Sequence, residues 1–447
     1  MRAAIGFSKH PTAGEDTTMN RFWIAIAAWG FTTIPAFAAS PDPKDLTIPS
    51  VELSKARELV RLLASEVYKE REQAQDDLAK MGRLARPALL EALTTDPNPE
   101  IRTRTSRLLP RAEAADLQAR IDTFLADAEA KYEHDLPGWT LFRKIVATRE
   151  AGSDKAARDL YVEAIKTSAN LEILTALGLG TEPAGRAIAD RRMTLFLQQN
   201  PGAFGRMVPG TIVQPKQPTL ADIAVLLIGE TAIESKDIPR PGPFSYITGS
   251  QFIQQAASMQ AINNPDTTPH GKPYKQIFVK WLDSRTAPDD LNNLAWIANN
   301  FRQIKETGAL LHRIVSTEGV AGHAKGQALI FLLQRGKEEL PTIRAQLNNN
   351  MSLTNQKIQI APNVLIDTQV RDIALALLLH NDGQDLKSYG FEFQQGFIMA
   401  QVAQTYWGYG FKSDEDRAAA HKKFAEYETK KKLEPKKDEP KKDEPKK

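Results

Sequence analysis

Residues 94–110 read TTDPNPEIRTRTSRLLP, and this stretch decides how the rest of the chain is read. Pro97 and Pro99 each fix a backbone angle, and Pro99 suits the first helical position because the amide it lacks would have no partner there. Asn98 then falls at the N-cap, and Glu100 lies in the first turn, where the helix dipole favours negative charge. The stiff turn is therefore a helix starter. In the helix that follows, Ile101, Thr105, Leu108 and Leu109 share one face, the spacing of a half-buried amphipathic helix. Arg104, Arg107 and Arg111 recur on another face, either as a solvated stripe or as a binding surface for an anionic partner.

Two shorter helices are expected upstream. Residues 68–81 carry Ala74, Leu78 and Met81 at helical spacing and stop at Gly82; residues 84–93 carry Pro87 near the start and Leu89, Leu90 and Leu93 inside. Neither can bury its apolar face alone. Two short helices, a rigid turn and a third helix make the unit of an α-solenoid, in which each piece is stable only against its neighbour.

These segments, EREQAQDDLAKMG, RLARPALLEAL and DPNPEIRTRTSRLL, resemble the HEAT-like repeat family. The resemblance implies that Asp96, before the turn, and Arg102, just inside the helix, bridge neighbouring repeats. Segments further on, LPGWTLFRKIV (136–146), AARDLYVEAI (156–165) and TQVRDIALALLLHNDGQDLKSYGFE (368–392), resemble parts of long exported bacterial HEAT-repeat proteins, a likeness that implies a fold and carries no activity.

At 447 residues, with 42% hydrophobic and 25% charged residues, the chain has the composition of a folded protein and length enough for several domains or one extended repeat array. It has no cysteine, which excludes disulfides, thiolate metal sites and cysteine nucleophiles. The formal net charge is +3, unevenly spread: nine lysines against five acids from Lys430 onward leave the body slightly acidic, unlike a general polyanion-binding surface.

The sequence from Met19, MNRFWIAIAAWGFTTIPAFAAS, has the layout of an export signal: Arg21, an apolar run over 22–34, then Ala36-Phe37-Ala38 with small residues for cleavage after Ala38 or Ala39. The run is about 13 residues where a membrane span needs about 20. The mature chain is thus expected to be exported, to the periplasm or beyond, without a transmembrane span. The polar residues 1–18 read as an upstream extension, with translation starting at Met1 or at Met19.

Further along, residues 113–132 read as one long helix with Leu117, Ile121, Phe124, Leu125 and Ala128 on a single face, and 155–177 contain another. Proline- and glycine-rich breaks at 201–218 and 239–243 isolate a short helix between them. Helical rhythm returns from Gln251: residues 274–284 bury Ile277, Phe278, Trp281 and Leu282, residues 289–301 bury Leu291, Leu294, Ala295, Ala298 and Phe301, and further helices start near Lys305, Ala321 and Lys337. Residues 357–370 alternate around Pro362-Asn363 and suit a small β-hairpin; a helix over 368–380 with Ala374, Leu375, Leu378 and Leu379 in its core is closed by Asp382-Gly383. Repeated EPKKD after Glu434 lacks any means to build a core, so it reads as a disordered tail that spaces, solubilises or touches anionic envelope material weakly.

The fold class is therefore all-α: a HEAT-like solenoid with a hairpin insertion and a disordered tail. Its expected divisions are a signal region (1–39), N-terminal repeats (51–200), a loop-rich connector (201–250), a second repeat segment (251–347), a C-terminal hairpin, helix and aromatic cap (348–425) and the tail (426–447).

Chemistry is sparse in the sequence. No histidine pair has strong ligand spacing; His380 with Asp382 and Asp385 is the best metal candidate, and a histidine there equally suits a helix C-terminus. The glycines of GLGTEPAG do not keep dinucleotide-binding spacing, and no nucleophile elbow or phosphate loop occurs. No catalytic, cofactor or metal residue is assigned. One cluster is unusual: Tyr389, Phe391, Phe393, Phe397, Tyr406, Trp407, Tyr409 and Phe411, interspersed with glycines, either caps the end of the solenoid or exposes Tyr406, Trp407 and Tyr409 for binding. The expectation is a non-catalytic exported scaffold that binds a protein partner, not specifically nucleic acid. The alternative is an envelope or polysaccharide-binding module using the aromatic cluster and basic tail, and an enzyme without a linear motif comes last.

Overall fold

The computed structural model describes residues 39–146, 151–201, 214–239, 247–354, 356–361, 364–391 and 408–433. Expectations for the signal region, for Phe393, Phe397, Tyr406 and Trp407, and for the EPKKD tail lie outside the described residues. The described chain is dominated by helix, with one two-stranded sheet. It divides into two compact units, Met1–Glu133 and His134–Lys447.

Among the described residues the first unit holds four α-helices: α1 (Ser50–Leu62), α2 (Tyr68–Met81), α3 (Arg86–Thr95) and α4 (Pro99–Ala126). Helix α2 ends at Gly82, whose φ of 54° is readily reached only without a Cβ. Helix α1 packs on α2 and α3 on α4, and second neighbours pack as well: α1 on α3 and α2 on α4. Much of their common core is alanine, with Ala56, Ala74, Ala85, Ala88, Ala92 and Ala112 buried beside Leu63, Leu78, Leu89 and Ile101. Small side chains at so many contacts bring the helix backbones close together.

Helix α4 differs from its expected form. The two helices foreseen on either side of Pro110 are one helix of 28 residues with Pro110 inside. Pro110 is exposed, so water can reach the carbonyl group that its missing amide leaves without a partner. Leu109 is buried and Leu108 only partly so; of the face proposed over 113–132, Ile121 and Phe124 are buried, Leu125 is exposed and Ala128 lies beyond the helix. The helix stops at Asp127, whose carboxylate accepts the amides of Lys131 (2.9 Å) and Tyr132 (3.0 Å).

The second unit starts with α5 (Trp139–Ile145), α6 (Ala151–Ile165), α7 (Ser168–Leu179) and α8 (Thr181–Gln199), followed by α9 (Leu220–Ala232). It continues through α10 (Ser250–Ile253), α11 (Ala256–Asn263), α12 (Gly271–Ser284), α13 (Pro288–Leu291), α14 (Ala295–Asn300), α15 (Lys305–Ser316), α16 (Gly322–Leu333) and α17 (Leu340–Ala345). The stretch 201–250, read as a connector, contains α9, in which every residue from Ala221 to Glu230 is buried. Helices α6, α7, α8, α11 and α12 all touch α9. A Cβ on Gly229 would come within 2.9 Å of Ile188 on α8, so the two helices meet here at backbone distance. Thr219 caps α9, its hydroxyl accepting the Asp222 amide (3.1 Å) while the Asp222 carboxylate accepts the Thr219 amide (2.9 Å).

The helix foreseen over 289–301 is broken into α13 and α14, although its five core positions are all buried. The break falls at Asn292, whose Oδ1 accepts the Ala321 amide (2.8 Å) and so ties the turn to the start of α16. The hairpin forms where alternation placed it, β1 (Ile358–Ala361) antiparallel to β2 (Val364–Ile366), with Ile358 opposite Ile366. Helix α18 (Val370–Asn381) then packs on α16 and α17, and α19 (Asp414–Leu433) packs on α18.

Glu230, at the end of α9, is 1% exposed and accepts from three other elements. Arg192 of α8 donates through Nε (2.8 Å), the Gly249 amide before α10 donates (2.8 Å), and the Trp281 indole of α12 donates to the second oxygen (2.7 Å). Burial pushes this carboxyl upward, but the guanidiniums of Arg192 and Arg285 and the Trp281 N–H outweigh it and hold the group below its ordinary range. Replacing Glu230 by Gln is expected to lower the stability of the second unit by about 3–5 kcal/mol, because buried guanidinium charge is left uncompensated. Urea unfolding followed by Trp281-sensitive fluorescence measures it, and an unchanged midpoint would contradict the role given to this carboxylate.

Candidate functional site

In the first unit the 94–110 turn is held by its own side chains. Asp96 Oδ1 accepts the Asn98 amide (2.9 Å), and Asn98 Oδ1 accepts the Glu100 amide (2.9 Å), with Pro99 at the first helical position. Asp96 is thus used locally. Arg102 is exposed, and the two do not form an ion pair with each other among the described residues.

The arginine stripe divides. Arg104 is an inter-helix clamp: its Nη1 donates to Glu72 Oε1 (2.9 Å) and Gln75 Oε1 (2.9 Å) on α2, and its Nε to Glu100 Oε1 (2.7 Å). Only 13% of its side chain is exposed, and these carboxylates raise its proton affinity further. It therefore leaves the group offered as a binding surface. Arg107 and Arg111 are exposed on the same helix and remain in it.

At the C-terminal end, the aromatic residues that can be placed are packed inside. Tyr389, Phe391, Tyr409 and Phe411 are each 5% exposed or less. Phe391 lies 4.7 Å from Phe411 and 6.5 Å from Tyr409, centroid to centroid. Tyr409 is therefore a core residue and not an exposed binding ring. The reason is the strand-like return of 408–412 alongside β2: Asp367 and Phe411 exchange backbone hydrogen bonds (3.0 and 3.2 Å). A Cβ on Gly410 would sit 2.4 Å from the Asp367 carbonyl oxygen, so this close approach needs glycine.

Helix α19 is fastened over this end by Arg417, itself buried. Its Nε donates to both oxygens of Asp372 on α18 (2.9 and 3.1 Å), its Nη2 to the Asp367 carbonyl (2.9 Å), and its Nη1 to Asp414. His421 lies one turn further on, with Nε2 4.0 Å from Asp372 Oδ1. Between the Leu386–Tyr389 turn, segment 408–412 and α19 runs an open cleft of about 870 Å³. Among the described residues, Lys387, Lys412, Lys423 and the carboxylate of Asp416 line it, together with Tyr389 and Phe391. The sequence reading missed both Arg417 and this lysine set, since the three lysines come from three separate elements and no linear spacing joins them.

The proposed metal trio is dispersed into other bonds. Asp382 accepts Lys431 Nζ (2.7 Å), Asp385 caps the following turn through the Lys387 amide (3.2 Å), and burial lowers the proton affinity of His380. Among the described residues no three acidic or histidine side chains are placed to hold a metal ion, and no helix is long and apolar enough to cross a membrane. Comparison of the chain with protein-family models, with curated proteins and with solved structures finds no match.

Asp372 and His421 titrate in opposition. Burial pushes the Asp372 carboxyl up to about 6, against the pull of Arg417; burial, with Arg371 and Arg417 nearby, pushes His421 down to about 4. On acidification the folded state takes up a proton at Asp372 before the unfolded chain does, so this residue adds stability as pH falls from about 6 towards 4. The unfolded chain protonates its histidine first, so His421 removes stability over the same window. Relative to the unaltered protein, His421→Gln is expected to gain unfolding midpoint between pH 7 and 4.5 and Asp372→Asn to lose it. Matched pH series of denaturant curves check the two opposite slopes; parallel slopes would refute the pairing.

Proposed function

We propose that this protein is an exported helical scaffold that works by presenting a surface to a protein partner. The observation that carries this reading is second-neighbour stacking in the first unit, α1 on α3 and α2 on α4, which is how solenoid repeats extend a continuous face. The same habit recurs in α14 on α16 and α16 on α18, and it agrees with the HEAT-like character of residues 70–109. Helix α9 departs from a simple two-layer stack, because five helices surround it. Charges in both units are used between helices: the half-buried Arg104 in the first, and the buried pairs Arg191 with Asp222 (2.5 Å), Arg192 with Glu230, and Arg417 with Asp372 in the second. That use favours rigid display over turnover. On α4 the display is cationic, with Arg107 and Arg111 facing solvent, so the partner is expected to offer an acidic patch.

Export is the second part of the reading, carried by the apolar run and the small residues before Ala39. The chain recovered from its native host is expected to begin at Ala39 or Ser40, which intact-mass measurement checks; an amino terminus at Met1 or Met19 would refute export by cleavage. Capture from the host's envelope fraction tests the surface. A discrete protein is expected to be retained by the full chain whether or not residues 434–447 are present, and its retention is expected to fall about tenfold in Arg107→Glu/Arg111→Glu. Equal retention by the charge-reversed chain, or retention that depends only on the tail, would overturn the assignment of this face.

A further inference from the structure

Three polar groups of the second unit converge on one imidazole ring, and the scaffold reading uses none of them. His312 stands on α15, to the side of the buried face made by Leu310, Leu311, Ile314 and Val315. Opposite it the chain makes a 3₁₀ turn, Lys337–Glu339, that runs directly into α17. Glu339 and Thr342 are three residues apart across that junction, so both fall on one face of the helical turn. Each meets a different nitrogen of the ring: Glu339 Oε2 lies 2.9 Å from His312 Nε2, and Thr342 Oγ1 lies 3.4 Å from His312 Nδ1. The carboxylate is the sheltered member, with 13% of its side chain exposed, while the imidazole is 44% exposed.

An ionised carboxylate only accepts, so in the uncharged ring the Nε2 proton points to Glu339 and the Nδ1 lone pair is left facing the hydroxyl. A hydroxyl, a base within reach of it and a third group that orients the base together make an activated nucleophile. At 3.4 Å the hydroxyl contact is looser than a settled hydrogen bond, as such contacts are before a substrate closes on them. We propose that Thr342 takes an acyl group from a small activated ester, with His312 as its base and Glu339 as the positioning residue. In this step Thr342 Oγ1 forms a bond to the acyl carbon and gives its proton to His312 Nδ1. The bond from that carbon to the leaving alcohol breaks, and the departing oxygen takes the proton from Nδ1. The products are an O-acyl threonine and a free alcohol, with the ring returned to its starting tautomer. Because the imidazole is nearly half exposed, the reacting carbonyl is reached from solvent, which suits a short acyl group that needs no enclosing channel.

Incubation of the full chain with p-nitrophenyl acetate, followed by peptide mapping, tests the proposal. Acetyl is expected on Thr342 ahead of every other hydroxyl side chain. Thr342→Ser is expected to retain the label, and His312→Gln to slow its appearance about a hundredfold or more. Glu339→Gln is expected to slow the labelling as well, and nitrogen NMR of histidine-labelled protein is expected to show the His312 ring passing from one tautomer, protonated at Nε2, to a mixture. Acetyl confined to lysines or spread evenly over hydroxyls, labelling of Thr342 indifferent to His312→Gln, or a ring tautomer unmoved by Glu339→Gln would each overturn the proposal. The label on the unaltered protein decides even where a variant folds poorly. None of these results depends on whether a protein partner is captured through α4.

Discussion

A buried carboxylate with too many donors to leave is the constraint on which the second unit rests. Glu230 takes hydrogen bonds from α8, from the segment before α10 and from α12, and it does so at the end of a helix on which five others pack. Hydrophobic contact alone sets no rotation for α9, since it is apolar around its whole circumference. The carboxylate sets it. Only one orientation of the helix brings Glu230 between Arg192 and Trp281 while also placing Asp222 beside Arg191 at the other end (2.5 Å). Replacing such pairs by apolar residues is often neutral for stability, so their contribution here is best understood as specifying one packing among several apolar ones.

The same device recurs at each place where the chain closes on itself. Arg104 joins α4 to α2, and Arg417 joins α19 to α18 and the hairpin. In each case one guanidinium spans several acceptors, which suits arginine better than lysine because its donors are fixed in a plane. Lysines take the opposite part. Those around the C-terminal cleft, Lys387, Lys412 and Lys423, are exposed.

Much of the architecture was legible because particular residues punctuate it. Gly82 ends α2 where a positive φ is needed, Asn98 and Pro99 start α4, and alternation around Pro362-Asn363 marks the hairpin. What was not legible has equally local causes. Pro110 reads as a stop, yet on an exposed face a helix can carry it, so α4 looked like two helices. Helix α9 lies between two proline-rich stretches and has no polar face, so periodicity could not show that it is central. Tyr409 looked like a ligand-stacking ring because glycines flank it; one of them, Gly410, instead permits the backbone to press against the residue that follows the hairpin. The Arg417–Asp372 pair and the lysine cleft join residues from separate elements with no shared motif, and only folding brings them together.

The alanine-rich core of the first unit has a consequence for how the protein tolerates change. Where large side chains fill a core, the usual damage is a hole; where methyl groups fill it, the vulnerable direction is growth. Ala56 and Ala85 are wholly enclosed and Ala74 and Ala88 nearly so, leaving no slack for even a valine between backbones already drawn together. Drift in this unit is thus confined to its outward-facing positions, and the inner seam is held by the smallest chiral residue in the repertoire.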